Sequence, residues 1–383
     1  MNRNRRLAAS AAALIALTVA APVAVAPAAF AAPDPQAPAS ASVRLQLPAP
    51  TGKFSVGRKD LHLVDRNRTD PWVPAAGARE LMVSLYYPAR KGTGTAASPY
   101  LKKEEARLLL EGIRRADEFP AELLTGAGTN SRTDARPLGG KHPLVLLSPG
   151  FTLHRSTLTG LAEELASRGY VVATMDHAYE SFGTEFPGGR VLGLKAGLAK
   201  DVLPVRAADA SFVLDRLLDP KGGFAQYVDR RRIGMAGHSI GGNSSAFAMA
   251  GDARIKAGAN LDGGFFDDAP GAGLNGRPFL LLGTDATHRP GGKGKWGEAW
   301  TALDGWKRWL TVAGSGHFSF NDIPVLGGQL GVVDPSAPLS GKRSGEITLG
   351  YVGAFFDLQL KGRQTPLFDG PTEADPEVSF HSP

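Results

Sequence analysis

The sequence predicts an α/β protein built on a mostly parallel sheet covered by helices, and three observations carry that expectation. From Pro143 onward, short apolar runs alternate with helical patterns, the signature of repeated βα units. The composition, 43% hydrophobic and 21% charged over 383 residues, is that of an ordinary globular chain long enough for one large domain. Third, Arg232-Ile233-Gly234-Met235-Ala236 leads straight into Gly237-His238-Ser239-Ile240-Gly241, a G-x-S-x-G placed between a strand and a helical stretch. In that context the motif reads as a nucleophile elbow, a tight strand-to-helix turn that presents a serine hydroxyl above the sheet edge. Gly237 and Gly241 keep Cβ atoms out of the crowded space on either side, and the helix that follows aims free N–H groups and its positive dipole end at the site.

In chain order, Met1-Asn2-Arg3-Asn4-Arg5-Arg6 is basic, residues 7–27 carry no charge, and Ala29-Phe30-Ala31 follows. This is the pattern of a secretory signal peptide, residues 1–31, with cleavage expected before Ala32 and an extracellular product. Arg5-Arg6 lacks the flanking residues of a twin-arginine signal, so ordinary secretion is expected. Residues 32–48, rich in Pro, Ala and Ser, read as a flexible linker, and 49–383 as a single catalytic domain. The absence of cysteine excludes disulfides and thiol chemistry. The leader's three arginines carry no acid with them, so the formal +6 of the whole chain becomes +3 in the remainder. With no basic–aromatic run, nucleic-acid binding is not expected.

Phe54-Ser55-Val56, Leu61-His62-Leu63-Val64 and Leu81-Met82-Val83-Ser84-Leu85-Tyr86-Tyr87 alternate at period two and predict early antiparallel strands. Residues 100–115 predict a helix; 92–98 and 124–140 read as loops. Leu144-Val145-Leu146-Leu147-Ser148 is the continuous apolar run of a strand covered on both faces. Residues 157–168, 205–218, 296–303 and 346–360 predict helices. Further strands are expected at 170–175, 233–236, 257–261, 278–282 and 309–312. The tail after Leu360 is polar and expected to be loose. Residues 190–205, with Leu192, Leu194, Leu198 and Leu203, fit either the flank of an apolar pocket, with transient lipid-surface contact, or a buried linking segment.

These residues carry a family resemblance over about 53–360. Phe54-Ser55-Val56-Gly57, Leu85-Tyr86-Tyr87-Pro88, Lys141-His142-Pro143-Leu144-Val145 running into Ser148-Pro149-Gly150-Phe151, Leu165-Ala166-Ser167-Arg168-Gly169-Tyr170, the elbow, Asn260-Leu261-Asp262 and Gly314-Ser315-Gly316-His317 together resemble the platelet-activating factor acetylhydrolases of the plasma and type II kind. The resemblance implies the α/β-hydrolase fold, a mostly parallel eight-stranded sheet with helices on both faces, and hydrolysis of short or oxidised acyl esters of phospholipids. One departure is Ser148-Pro149-Gly150, where the family usually has Ser-His-Gly.

A nucleophilic Ser239 needs a base, and the chain order Ser…acid…His leaves His288, His317 and His381 of the eight histidines. His317, in a Gly-Ser-Gly loop after the 309–312 strand, is the expected base; His177 reads as structural and His238 as support for the turn. The resemblance places the acid at Asp262. Asp285, at the end of the next strand, is the alternative acid, as in cutinase-like polyester hydrolases. Asp267 and Asp268 read as surface acids. Backbone N–H groups of Phe151 and Ile240 are the expected oxyanion donors. No metal or organic cofactor is required by this chemistry, and the expected partner is an ester or phospholipid substrate; a general lipase, carboxylesterase or polyester hydrolase is the alternative reading, and a non-catalytic binding protein on a hydrolase scaffold the remote one. Oligomeric state is not legible.

Overall fold

The structure, a computed structural model, describes residues 43–198, 201–266, 270–271 and 273–383. The expected signal peptide, most of the expected linker, and Asp267 and Asp268 lie outside the described residues. The strands are β1 (Ser55–Thr69), β2 (Ala78–Ala89), β3 (Ser131–Thr133), β4 (His142–Ser148), β5 (Val171–His177), β6 (Gly183–Glu185), β7 (Val191–Gly193), β8 (Val228–His238), β9 (Ile255–Leu261), β10 (Phe279–Thr284), β11 (Lys307–Val312) and β12 (Val378–His381). The helices are α1 (Lys103–Gly112), α2 (Ala121–Thr125), α3 (Thr159–Ser167), α4 (Val202–Leu218), α5 (Ile240–Gly251), α6 (Asp285–His288), α7 (Trp296–Ala302), α8 (Asp322–Gly327) and α9 (Gly341–Lys361).

Ten strands form one sheet in the order β12-β11-β10-β9-β8-β4-β5-β2-β1-β3. The run from β11 to β5 is parallel throughout, and β1 and β2 add an antiparallel edge. The expected eight strands gain two short edge strands. β3 lies in a stretch read as loop because three residues are too few to show a period. The tail is not loose: β12 pairs antiparallel with β11, burying Val378.

Because side chains alternate faces along a strand, each central strand feeds two cores. Leu144 and Leu146 of β4 pack with α4 residues such as Val213 and Leu214 on one face. Val145 and Leu147 pack with α3 and α9, through Leu165 and Phe355, on the other. A third cluster caps the carboxyl ends of the strands, and in it Leu45 and Leu47, each 1% exposed, pack with Tyr100, Leu109 and Leu326. The end of the expected linker is therefore docked structure. Gln329 fastens it, donating to the carbonyl of Gln46 at 2.8 Å and accepting from its amide at 3.0 Å.

The chain order along the sheet reverses between β4 and β8, since β4 is followed by β5 on one side and neighboured by β8 on the other. Loops leaving those two strands diverge and open a crevice at their carboxyl ends, where ligands bind in open α/β sheets.

Candidate active site

Ser239 sits in that crevice, at the junction of β8 and α5, with φ +57° and ψ −128°. A non-glycine residue holds that backbone only when its surroundings dictate it. They do so by close stacking. A Cβ on Gly241 would lie 2.0 Å from the carbonyl oxygen of Ser148, and one on Gly237 would lie 2.3 Å from the backbone of Gly241. The amide of Ser239 donates to the carbonyl of Leu261 at 2.8 Å, tying the elbow to the end of β9.

Asp262 follows directly, and its amide donates to the carbonyl of Leu282. Its side chain is buried, with Oδ1 accepting from the Thr284 amide at 2.6 Å and from His288 Nδ1 at 2.9 Å, and Oδ2 facing His317 Nδ1 at 2.6 Å. Burial opposes its charge, but the hydrogen bonds from His288 and His317 outweigh it and hold the carboxyl at about 2. An ionised carboxylate only accepts, so the His317 proton resides on Nδ1. Nε2 is left with its lone pair toward Ser239 Oγ, 2.9 Å away.

The structure thus brings Ser239, His317 and Asp262 into one hydrogen-bonded chain. Asp285 lies outside it: it opens α6 and accepts from Thr311 Oγ1 at 3.0 Å, and the same hydroxyl meets His381 Nε2 at 2.8 Å. His288, which chain order left as a possible base, backs the acid from the far side, and its ring lies 4.2 Å from that of Trp296. Sequence pattern gave no signal for this role, because the contact depends on α6, packed against β10 and β11, turning His288 toward the residue that follows β9.

His238 Nε2 donates to the carbonyl of His317 at 2.6 Å, and its ring lies 4.8 Å from the His317 ring. Burial and then the neighbouring His317 push it down to about 3, so it stays neutral and anchors the loop that carries the base. Ile240 is the first residue of α5, where an amide has no intrahelical acceptor. The loop bearing Phe151 presses on the nucleophile, since a Cβ on Gly150 would be 3.3 Å from Ser239 Cβ. His177 is buried away from this crevice and contacts Ser148 and Asp209.

Ser239, His317 and Asp262 line a cavity of about 980 Å³. Its far wall is largely apolar: Leu109 of α1 and Ile113 just after it, Leu124 of α2, Phe318, Leu326 and the docked Leu45. From the leucine-bearing stretch, Leu198 lines the cavity, Leu203 is buried against Ile240, and Leu192 belongs to the β6–β7 hairpin. No helix among the described residues is long and apolar enough to cross a membrane.

The family model of platelet-activating factor acetylhydrolase, isoform II, matches residues 39–186. A probable 1-alkyl-2-acetylglycerophosphocholine esterase of Arthroderma benhamiae is 32% identical over 374 residues, covering 87% of this chain and 93% of that one. The chain belongs to the platelet-activating factor acetylhydrolase family. The platelet-activating factor acetylhydrolase of Cavia porcellus is similar at 24% identity over 344 residues, 80% of this chain and 75% of that one. A model of PET hydrolase-like proteins also matches residues 125–263, across the elbow. Among solved structures, a ferulic acid esterase from Streptomyces cinnamoneus superposes with a TM-score of 0.79 at 43% identity, covering 88% of this chain and all of that one. This acetylhydrolase-family chain therefore has the α/β-hydrolase fold and is a carboxylic ester hydrolase.

Proposed function

We propose that this chain is a secreted serine esterase that cleaves hydrophobic carboxylic esters through an acyl-enzyme. The observation that carries the reading is the Ser239–His317–Asp262 hydrogen-bond chain opening onto the apolar cavity. His317 Nε2 takes the Ser239 proton as Oγ attacks the ester carbonyl, and the same proton passes to the departing alcohol. Asp262 holds the imidazole in the acceptor tautomer and stabilises the imidazolium once formed. The tetrahedral oxyanion is met by the amides of Phe151 and Ile240, and the first turn of α5 adds its dipole. Water then repeats the sequence on the acyl-enzyme, with His317 as its base.

The substrates proposed are short or oxidised acyl esters of phospholipids; the names of the Arthroderma and Cavia relatives, an acetylglycerophosphocholine esterase and an acetylhydrolase, support the short-acyl part of this reading. The ferulic acid esterase neighbour, the more similar by identity, favours a second reading in which the acyl group is aromatic. Export rests on the leader pattern in residues 1–31.

One experiment tests the chemistry and ranks the substrates. A fluorophosphonate probe should label the wild-type protein at Ser239 and leave Ser239→Ala unlabelled. Initial rates on p-nitrophenyl acetate, butyrate and octanoate, on methyl ferulate and on an acetylated alkyl phospholipid should then favour the phospholipid and the short chains. An active, folded Ser239→Ala protein overturns the mechanism. A preference for methyl ferulate moves the substrate to the second reading.

A further inference from the structure

A buried polar chain runs beneath the loop after β4, and the esterase chemistry leaves it unused. Arg206 of α4 is 1% exposed. Its Nε donates to Glu180 Oε2 at 2.7 Å, and one terminal nitrogen donates both to the Pro149 carbonyl at 2.6 Å and to Ser148 Oγ at 3.2 Å. From Ser148 the chain continues through His177 Nε2 at 2.9 Å, and from His177 Nδ1 to Asp209 Oδ2 at 2.9 Å. Chemistry fixes the direction of each link. Asp209 is paired with Arg79 at 2.6 Å and only accepts, so the His177 proton is on Nδ1 and Nε2 accepts from the Ser148 hydroxyl. By distance this is a second Ser–His–Asp set. Ser148 and Asp209 are both wholly buried, so no ester reaches it.

What the chain does reach is the loop that carries Phe151. A trans peptide directs its C=O and N–H to opposite sides, so fixing one fixes the other. Arg206 holds the Pro149 carbonyl and with it the plane of the Pro149–Gly150 peptide; the next peptide, which carries the Phe151 amide, is held through the Gly150 carbonyl, which accepts from the Leu153 amide at 3.2 Å. Thr152, at φ +69°, donates its amide to the carbonyl of Glu180 at 2.8 Å. The amide of Phe151 has no protein acceptor among the described residues. Pro149 has no N–H of its own, so its carbonyl is the one backbone handle at that position. At Ser148-Pro149-Gly150 the guanidinium of Arg206 grips that carbonyl.

We propose that Arg206, aimed by Glu180, is a positioning residue that holds the oxyanion-binding loop in register with Ser239. The inference rests on the serine-esterase reading. Only a planar fork spans Glu180, Ser148 and Pro149 together; the compact ammonium of a lysine does not. The interaction matters most where charge develops, so its loss lowers kcat and kcat/KM together and leaves ground-state binding in place.

The test compares wild type, Arg206→Lys and Glu180→Gln on p-nitrophenyl butyrate, with rates expressed per site titrated by prolonged fluorophosphonate labelling, so that misfolded molecules do not count. Arg206→Lys should lower kcat per titrated site by about 10²-fold, the loss that follows removal of one oxyanion donor, with KM within about threefold. The affinity for an alkyl boronic acid, which forms a tetrahedral adduct on serine, should fall in proportion. Glu180→Gln keeps every atom of Arg206 but withdraws the charge that aims it, and should lower kcat by about tenfold at unchanged KM; it decides the matter if Arg206→Lys yields no folded protein. Wild-type kcat per titrated site in a folded variant, or a loss carried by KM alone, overturns the proposal. Wild-type protein that the probe does not label overturns the esterase reading instead.

Discussion

Asp262 and Asp285 stand at the carboxyl ends of adjacent strands, yet only Asp262 touches the imidazole of His317. Replacing Asp262 by asparagine keeps the shape but favours the tautomer with the proton on Nε2, where it blocks acceptance from Ser239. The expected loss in kcat is several orders of magnitude, as in serine proteases where the same change costs about 10⁴-fold. Asp285→Asn should cost at most about tenfold, through Thr311, and steady-state kinetics on p-nitrophenyl butyrate would show the ranking. At this scale the candidate site was largely legible, because the elbow and the order Ser…acid…His are one-dimensional signals. His288 and Arg206 were not legible. Their partners lie 26 and 57 positions away, and no local pattern marks which buried polar groups will meet across a sheet.

The elbow and the closing edge strand each make a prediction at the level of the element. Gly241 has an ordinary negative φ, so its requirement is space, and a methyl group there collides with the Ser148 carbonyl at 2.0 Å. Gly241→Ala should destabilise at the upper end of roughly 1–3 kcal/mol and reduce turnover, since relief requires β4 and α5 to part beside the nucleophile. Urea unfolding followed by active-site titration would register both. Deleting residues 377–383 removes β12, the buried Val378, and the link from the Ala313 amide to the Glu377 carbonyl at 2.8 Å. Losing the Val378 side chain alone is worth about 1.5–3 kcal/mol, so the truncated protein should melt several degrees lower. Sequence reading missed β12 for a physical reason. Four residues flanked by Pro376 and Pro383 carry too little periodicity to be seen, and the strand exists because β11 offers it an edge. The long βα units, by contrast, were legible because their burial on both faces demands continuous apolar runs.

Across the whole molecule, buried ionisable groups set how stability responds to acid. Burial keeps His177 low, with Arg206 adding to it, and burial together with His317 pushes His238 down to about 3. The folded protein therefore refuses protons that the unfolded chain accepts from about pH 6.5 downward, and stability falls as pH drops through that range. Asp262 adds to the loss: its carboxyl sits at about 2, because its histidine partners outweigh burial, so its contribution is complete above about pH 4 and disappears toward pH 2. His154 acts in the opposite sense. Against the pull of burial, Asp176 and Glu105 raise it, so its contribution is present below about pH 6.5 and fades above. It offsets only part of this loss, because burial also holds His142 and His381 below the ordinary histidine value. The thermal midpoint should decline from pH 7.5 to pH 5 and then more steeply below pH 4; a midpoint constant from 7.5 to 5 would contradict this account. The docked segment around Leu45 links occupancy of the cavity to the integrity of the chain itself. Leu45 is both a wall of the cavity and the anchor of the segment that Gln329 clasps, so a bound alkyl chain stabilises that segment by mass action. Limited proteolysis between residues 43 and 53 should slow in the presence of a saturating apolar inhibitor, which makes the amino-terminal arm a built-in footprint of pocket filling.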